Sequence, residues 1–166
     1  MAETYLGIEH PFAPVWNGES RALVLRTFPS VKSRENAFYY GHPQNRFWCV
    51  LAALFGEGVP ATIDTKIELL HRRHIALWDV VAACDITGSA DSALLPHAFN
   101  DIASLVRDTQ IQSVFANGQT AGNLYRKQAE PLTGLPALIL PSTSPANAAW
   151  SLERLIVAWQ PLRDAL

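Results

Sequence analysis

The sequence predicts a three-layer α/β/α domain built around a central, mostly parallel four-stranded sheet. Residues 22–28, 75–82, 111–116 and 136–140 are short apolar runs, partly β-branched, each followed by turn or cap residues. Helical patterns alternate with them, over 46–55, 65–74, 101–107, 120–128 and 145–159. Runs that are apolar throughout belong to strands covered on both faces, and strand–helix alternation makes their sheet parallel.

Taken in order, the first strand runs into Thr27-Phe28-Pro29-Ser30 and then a long polar and aromatic loop ending at Trp48. The helix that follows contains the longest uninterrupted apolar run, Phe47 to Phe55. The next helix ends in His71-Arg72-Arg73-His74; two imidazoles without a third ligand nearby read as a solvated helix face rather than a metal site. The second strand carries Trp78-Asp79-Val80, and the third leads into the helix over 120–128. The fourth runs into Pro141-Ser142-Thr143-Ser144-Pro145-Ala146-Asn147. Ser144 before Pro145 reads as the cap of a helix over 145–159. Hydroxyls at a helix start also suit a phosphate, so capping and anion binding both stay open there.

No repeat, low-complexity tract or linker divides the chain, so residues 1–166 read as one domain. Apolar residues make up 49% and charged residues 17%, which excludes disorder for the bulk of the chain. A bilayer span needs roughly 20 apolar residues, more than the longest run here, so no membrane partner is expected. The N-terminus has no basic patch or apolar segment of the secretory kind, and a cytoplasmic location is expected. Cys49 and Cys84 are too few for a four-thiolate metal centre and read as buried free thiols. No metal and no cofactor are implied.

The formal net charge is −2, so no global field points to a polyanion. Locally, Arg26, Lys32, Arg34 and Arg46 face a single Glu35 across 26–48, a basic segment able to meet phosphate or simply water. The loop over 30–48 also holds Phe38, Tyr39, Tyr40, His42, Asn45, Phe47 and Trp48. Long ordered loops are usually functional, and aromatics interleaved with basic residues suit stacked bases beside a phosphate track. Phe47 and Trp48 could equally be core at the start of the helix.

The string Tyr39-Tyr40-Gly41-His42-Pro43-Gln44-Asn45-Arg46-Phe47-Trp48 resembles the loop of the mismatch-specific uracil/thymine and hypoxanthine-DNA glycosylases. Thr27-Phe28-Pro29-Ser30 stands where the uracil-DNA glycosylase superfamily has its first motif, and Pro141-Ser142-Thr143-Ser144 where it has its second. Leu77-Trp78-Asp79-Val80-Val81, with Gly88-Ser89, resembles the middle strand and its loop. The resemblance spans nearly the whole chain in the right order. Three departures place it within the superfamily. Phe28 replaces the polar catalytic residue of uracil-directed members, Ser142 replaces a His or Asn, and Arg26 stands where relatives usually have Gly. The first two, with the His-Pro-x-Asn string, resemble the hypoxanthine (deoxyinosine) branch.

That resemblance implies a uracil-DNA glycosylase-like fold and a monofunctional DNA N-glycosylase acting as a monomer on DNA that contains a deaminated base. Hypoxanthine is the leading substrate, released from a flipped-out nucleotide by hydrolysis of its N-glycosidic bond. Asn45 is the implied catalytic amide, able to hold water through its carbonyl or to donate through its nitrogen; a bond to its own backbone is the ordinary alternative. Phe28 and Phe47 are the implied base-stacking rings. Asp79 falls where thymine/uracil-directed relatives read the base, and a carboxylate there would accept from hypoxanthine N1–H; capping a loop or pairing with an arginine is the alternative. Ser30, Arg34, Arg46, Ser142, Thr143, Ser144 and Asn147 are the implied phosphate contacts. A uracil or thymine mismatch glycosylase and a catalytically inactive DNA-binding module are the competing readings.

Overall fold

The computed structural model describes residues 4–9, 13–28, 38–87 and 94–166. Among the described residues the strands are β1 (Thr4–Glu9), β2 (Ala22–Arg26), β3 (Ile75–Asp79), β4 (Val81–Thr87), β5 (Leu94–Phe99), β6 (Ser113–Asn117) and β7 (Ala137–Leu140). The helices are α1 (Phe47–Phe55), α2 (Ile63–Arg72), α3 (Ile102–Arg107), α4 (Gln119–Gln128), α5 (Glu130–Thr133), α6 (Leu152–Ala158) and α7 (Gln160–Asp164).

The four strands read from sequence form one wholly parallel sheet, in the order β3-β2-β6-β7. Its two faces are covered separately. Ala22 and Val24 of β2, with Ile75 and Leu77 of β3, pack against α1, α2 and the α6–α7 pair through Phe47, Leu51, Leu69, Leu155 and Trp159. Leu23 and Leu25, with Ala76, face Ile102 and Leu105 of α3 and Tyr125 of α4. Alternate residues of each strand point to opposite faces, so Arg26 and Asp79 extend the α1 face one position past the apolar rows. Parallel register places those two residues side by side.

A second, antiparallel sheet, β1-β4-β5, lies outside the sequence reading. The run read as one strand over 75–82 is two: β3 ends at Asp79, and beyond Val80 the chain joins β4 in the other sheet. Val80 N–H and Val81 N–H donate to the carbonyls of Arg26 and Thr27, so the junction still hangs from the end of β2. Pro96 sits in β5, the edge strand, where a missing donor is tolerated.

The helix expected over 145–159 starts later. Residues 144–150 are turns, and Ser151 is the cap, its side chain accepting from Arg154 N–H at the start of α6. Ser144 is therefore a loop residue, with its Oγ accepting from Ala146 N–H. His74 lies beyond α2 at φ 62°, off the helix face expected for it. Cys49 is a half-buried free thiol, and the Cys84 side chain lies outside the description. Among the described residues, no helix is long and apolar enough to cross a membrane.

Trp159 ties this face of the fold to the loop after β7: it is fully buried, and its Nε1–H donates to Pro141 O at 2.9 Å. Trp159→Phe keeps the ring but orphans that carbonyl. It is expected to lower stability by about 1–3 kcal/mol, read as a reduced urea midpoint at unchanged slope.

Candidate active site

An open cleft of about 690 Å³ lies at the carboxyl ends of the parallel strands, where ligands collect in sheets of this kind. Arg26, Thr27 and Phe28 come from the end of β2, Asn117 to Gln119 from the end of β6, and Leu140 to Ser144 from the end of β7. Tyr40 and Asn45 come from the loop before α1, and Ala146, Asn147 and Trp150 close the far wall.

Asn45 is held at both ends of its carbonyl. Its Oδ1 accepts from Phe47 N–H at 3.0 Å and from Thr143 Oγ1–H at 2.9 Å. The backbone donor fixes which atom is oxygen. Thr143 is fully buried and is held by Asn117, whose Nδ2–H donates to Thr143 Oγ1 at 3.0 Å and whose Oδ1 accepts from Thr143 N–H at 3.0 Å. Among the described residues no acceptor takes Asn45 Nδ2–H. The local bond to Phe47 N–H, the ordinary alternative, is thus present together with a tertiary bond. The carbonyl expected to hold water is already occupied, and the donor side remains for a ligand.

The aromatic wall differs from the one expected. Phe47 is fully buried and does not line the cleft; it stacks on Tyr40 at 4.0 Å between ring centroids and meets Trp48 and Trp159 edge-on. Opening α1 with its side chain on the sheet face commits it to the core. The rings that line the cleft are Phe28 and Tyr40, each about 5% exposed, with the half-buried Trp150 on the far wall. Tyr40 adopts φ 55°, a left-handed conformation uncommon for a residue with a side chain.

Asp79 does not line the cleft. It is fully buried behind Arg26, with Arg26 Nε–H donating to Oδ1 at 2.6 Å and Nη2–H to Oδ2 at 3.1 Å. The base-reading carboxylate expected from sequence is therefore the partner of an arginine, and Arg26 stands between it and the cleft. The guanidinium carbon lies 4.5 Å from the Tyr39 ring centroid and 5.2 Å from that of Tyr40. Burial works against the Arg26 charge, but the adjacent Asp79 carboxylate more than offsets it and holds the pKa above its ordinary value. Burial, then the Asp79 charge, push the Tyr39 phenol up, with Arg26 partly opposing. Tyr39 stays neutral and donates to Ala13 O.

The expected phosphate contacts divide. Ser142, Ser144 and Asn147 line the cleft and are half-buried. Ser142 Oγ accepts from Ser144 N–H, so the Ser142 and Ser144 hydroxyls each keep a proton to donate. Thr143 spends its hydroxyl on Asn45 instead. Arg46 turns inward: Nη2–H donates to Ser144 O at 3.0 Å and Asn147 O at 3.1 Å, and Nη1–H to Trp150 O. It clamps the 144–150 loop, where Ser144 O and Asn147 O also accept the turn N–H groups of Asn147 and Trp150. Ser30 and Arg34, with Lys32, lie outside the described residues, as do Gly88 and Ser89.

Sequence reasoning missed Asn117 as a site residue, named Tyr40 only among the loop aromatics, and noted Arg26 only in the basic segment and as a departure from relatives. Asn117-Gly118 directly follows an apolar strand, and that was the available signal. Gly118, at φ 99°, turns the chain there, and a Cβ on it would meet Ser142 Cβ at 3.4 Å.

No protein-family model matches the chain. It is 32% identical over 152 residues to a hypoxanthine DNA glycosylase of Methanosarcina acetivorans, covering 89% of this chain and 93% of that protein. A hypoxanthine DNA glycosylase of Methanosarcina barkeri is 32% identical over 142 residues, covering 82% and 86% respectively. The solution NMR structure of a protein assigned as a uracil DNA glycosylase from Methanosarcina acetivorans superposes with a TM-score of 0.77 at 28% identity, over 96% of this chain and 99% of that one.

Removing one member of a buried ion pair leaves the other charge uncompensated, at a cost of about 3–5 kcal/mol. Arg26→Met is expected to lose stability on that scale, while Arg26→Met with Asp79→Asn recovers most of it. Chemical denaturation of the two variants checks the difference.

Proposed function

The chain belongs to the hypoxanthine-DNA glycosylase branch of the uracil-DNA glycosylase superfamily and is a DNA N-glycosylase, and we propose that it excises hypoxanthine from DNA with Asn45 as its catalytic amide. The observation that carries this reading is the orientation of Asn45 in the cleft. Its carbonyl is locked by Phe47 N–H and Thr143 Oγ1–H, and its Nδ2–H is available to a bound base.

Cleavage of a purine N-glycosidic bond builds negative charge on the departing base and positive charge on the sugar. Extrusion of the nucleotide costs a few kcal/mol, and least at a mispair. The base then packs against Phe28. Asn45 Nδ2–H donates to an acceptor on the leaving purine and stabilises the charge that develops there. An amide is too weak a base to take a proton from water, so its contribution is positioning and electrostatics. Ser142 and Ser144 hydroxyls and Asn147 hold the flanking phosphates at the rim. Among the described residues no lysine lines the cleft, so hydrolysis leaves an abasic site without a Schiff-base step. An abasic site is the product that base-excision repair takes up.

A panel of duplexes carrying hypoxanthine, xanthine, uracil or mispaired thymine, with alkali cleavage reporting abasic sites, tests the reading. Hypoxanthine is expected to be released fastest. Binding without any abasic product would overturn catalysis, and faster uracil release would move the chain to the uracil-directed reading.

Asn45→Ala is expected to lower the single-turnover rate on the order of 10²–10³-fold, the usual effect of losing one pre-organised donor, with affinity for an abasic analogue duplex retained. Thr143 acts through Asn45. Thr143→Val should slow turnover at near-normal KM, and Thr143→Ser, which restores the hydroxyl, should recover it; rescue by Ser separates orientation of the amide from simple packing.

A further inference from the structure

We infer that Asn117 is a positioning residue: it dictates the direction in which Thr143 gives its hydroxyl proton, and through Thr143 the orientation of Asn45. The inference rests on the glycosylase reading above and adds the group that keeps the catalytic amide facing one way. Asn117 closes β6 in register with Leu140 of β7. It lines the cleft and is 8% exposed. Gly118 turns the chain there, its N–H donating to Leu140 O at 2.9 Å. Thr143, in the loop beyond β7, is fully buried, so its hydroxyl and its backbone N–H both need partners. Asn117 supplies both. Its Oδ1 accepts from Thr143 N–H and its Nδ2–H donates to Thr143 Oγ1, each at 3.0 Å.

A hydroxyl has one proton and can turn it either way. Here a backbone donor settles each end of the chain of bonds. Thr143 N–H takes Asn117 Oδ1, which leaves Nδ2 as the atom facing Thr143 Oγ1, so the hydroxyl must accept on that side. Its proton is left for Asn45 Oδ1, 2.9 Å away and pinned from its other side by Phe47 N–H. Turning the hydroxyl round would set oxygen lone pairs against the Asn45 carbonyl and strand the Asn117 donor. A carboxylate at position 117 would do this. It fills the space of the amide but only accepts, and so takes the Thr143 proton for itself. The bond to Phe47 N–H is local, whereas the bond from Thr143, 98 residues away in sequence, ties the amide to the end of the parallel sheet.

The test is single-turnover release of hypoxanthine from duplex DNA by the full chain, with affinity for an abasic analogue duplex measured beside it. Asn117→Ala removes both bonds but leaves the hydroxyl free to face Asn45. Asn117→Asp keeps the shape and the bond from Thr143 N–H but withdraws the proton. The Asp variant, the closer match in shape, is expected to be the slower of the two. Its rate should fall about 10- to 100-fold below wild type, the scale of one hydrogen bond to a charged group, with affinity retained. In a Thr143→Val background, which has no hydroxyl to direct, neither substitution should slow turnover further. Asn117→Ala carries that comparison should the Asp variant fail to fold. A truncation as slow as the carboxylate, or a loss that persists in full beside Thr143→Val, marks a packing role and overturns the inference. A wild-type rate in Asn45→Ala overturns the catalytic reading of Asn45 and this inference with it. A slow Asn45→Ala beside an unimpaired Asn117→Asp overturns this inference alone.

Discussion

The register of the parallel sheet is the constraint from which the site follows. Both faces of the sheet are covered, so polar side chains on its strands are tolerated only where the strands end. Arg26 and Asp79 are adjacent in that register and lie on the face that carries Phe47, Tyr39 and Tyr40. Neither charge could be held there alone. Together they form a buried pair that closes the apolar layer beneath and presents a cation to the cleft above. Asn117 ends β6 in the same row, paired with Leu140 of β7, and reaches Thr143 in the loop beyond.

The buried polar chain from Asn117 through Thr143 to Asn45 joins three segments distant in sequence. Every link has a defined donor and acceptor, which leaves the Asn45 amide one orientation. Arg46, next in sequence, fixes the opposing loop by its carbonyls. Adjacent residues of one string therefore serve different ends, one aimed into the cleft and the other holding its wall.

The parallel sheet was legible because its strands are apolar without alternation and are separated by helical patterns. The antiparallel sheet was not: the chain passes from β3 to β4 through Val80 with no Gly or Pro to mark the change, and Pro96 argues against a strand at β5. Phe28, Asn45, Ser142, Ser144 and Asn147, which line the cleft, were named in sequence through the motif strings of the family resemblance, since their places after strand ends and before α1 left capping and local bonds equally open. The directions of Phe47, Arg46 and Asp79 were not legible, because a ring or a charge in a motif string carries no sign of which way it faces. Phe47 opens a helix and turns to the sheet, Arg46 finds the carbonyls of the 144–150 turns, and Asp79 finds Arg26 one strand away. Those outcomes are set by tertiary geometry, and the first and the last were each open in the sequence as one of two readings.

The orientation of Asn45 toward the base is the central claim, and a complex structure tests it most directly. A duplex bearing 2′-fluoro-2′-deoxyinosine resists cleavage, because the fluorine disfavours positive charge on the sugar, and so traps the flipped nucleotide. The account predicts hypoxanthine in the cleft against Phe28, with Asn45 Nδ2 within about 2.7–3.2 Å of a base acceptor and Oδ1 still bonded to Phe47 N–H and Thr143. Asn45 turned so that Oδ1 holds a water beneath the sugar, or a base seated outside the cleft, would contradict it.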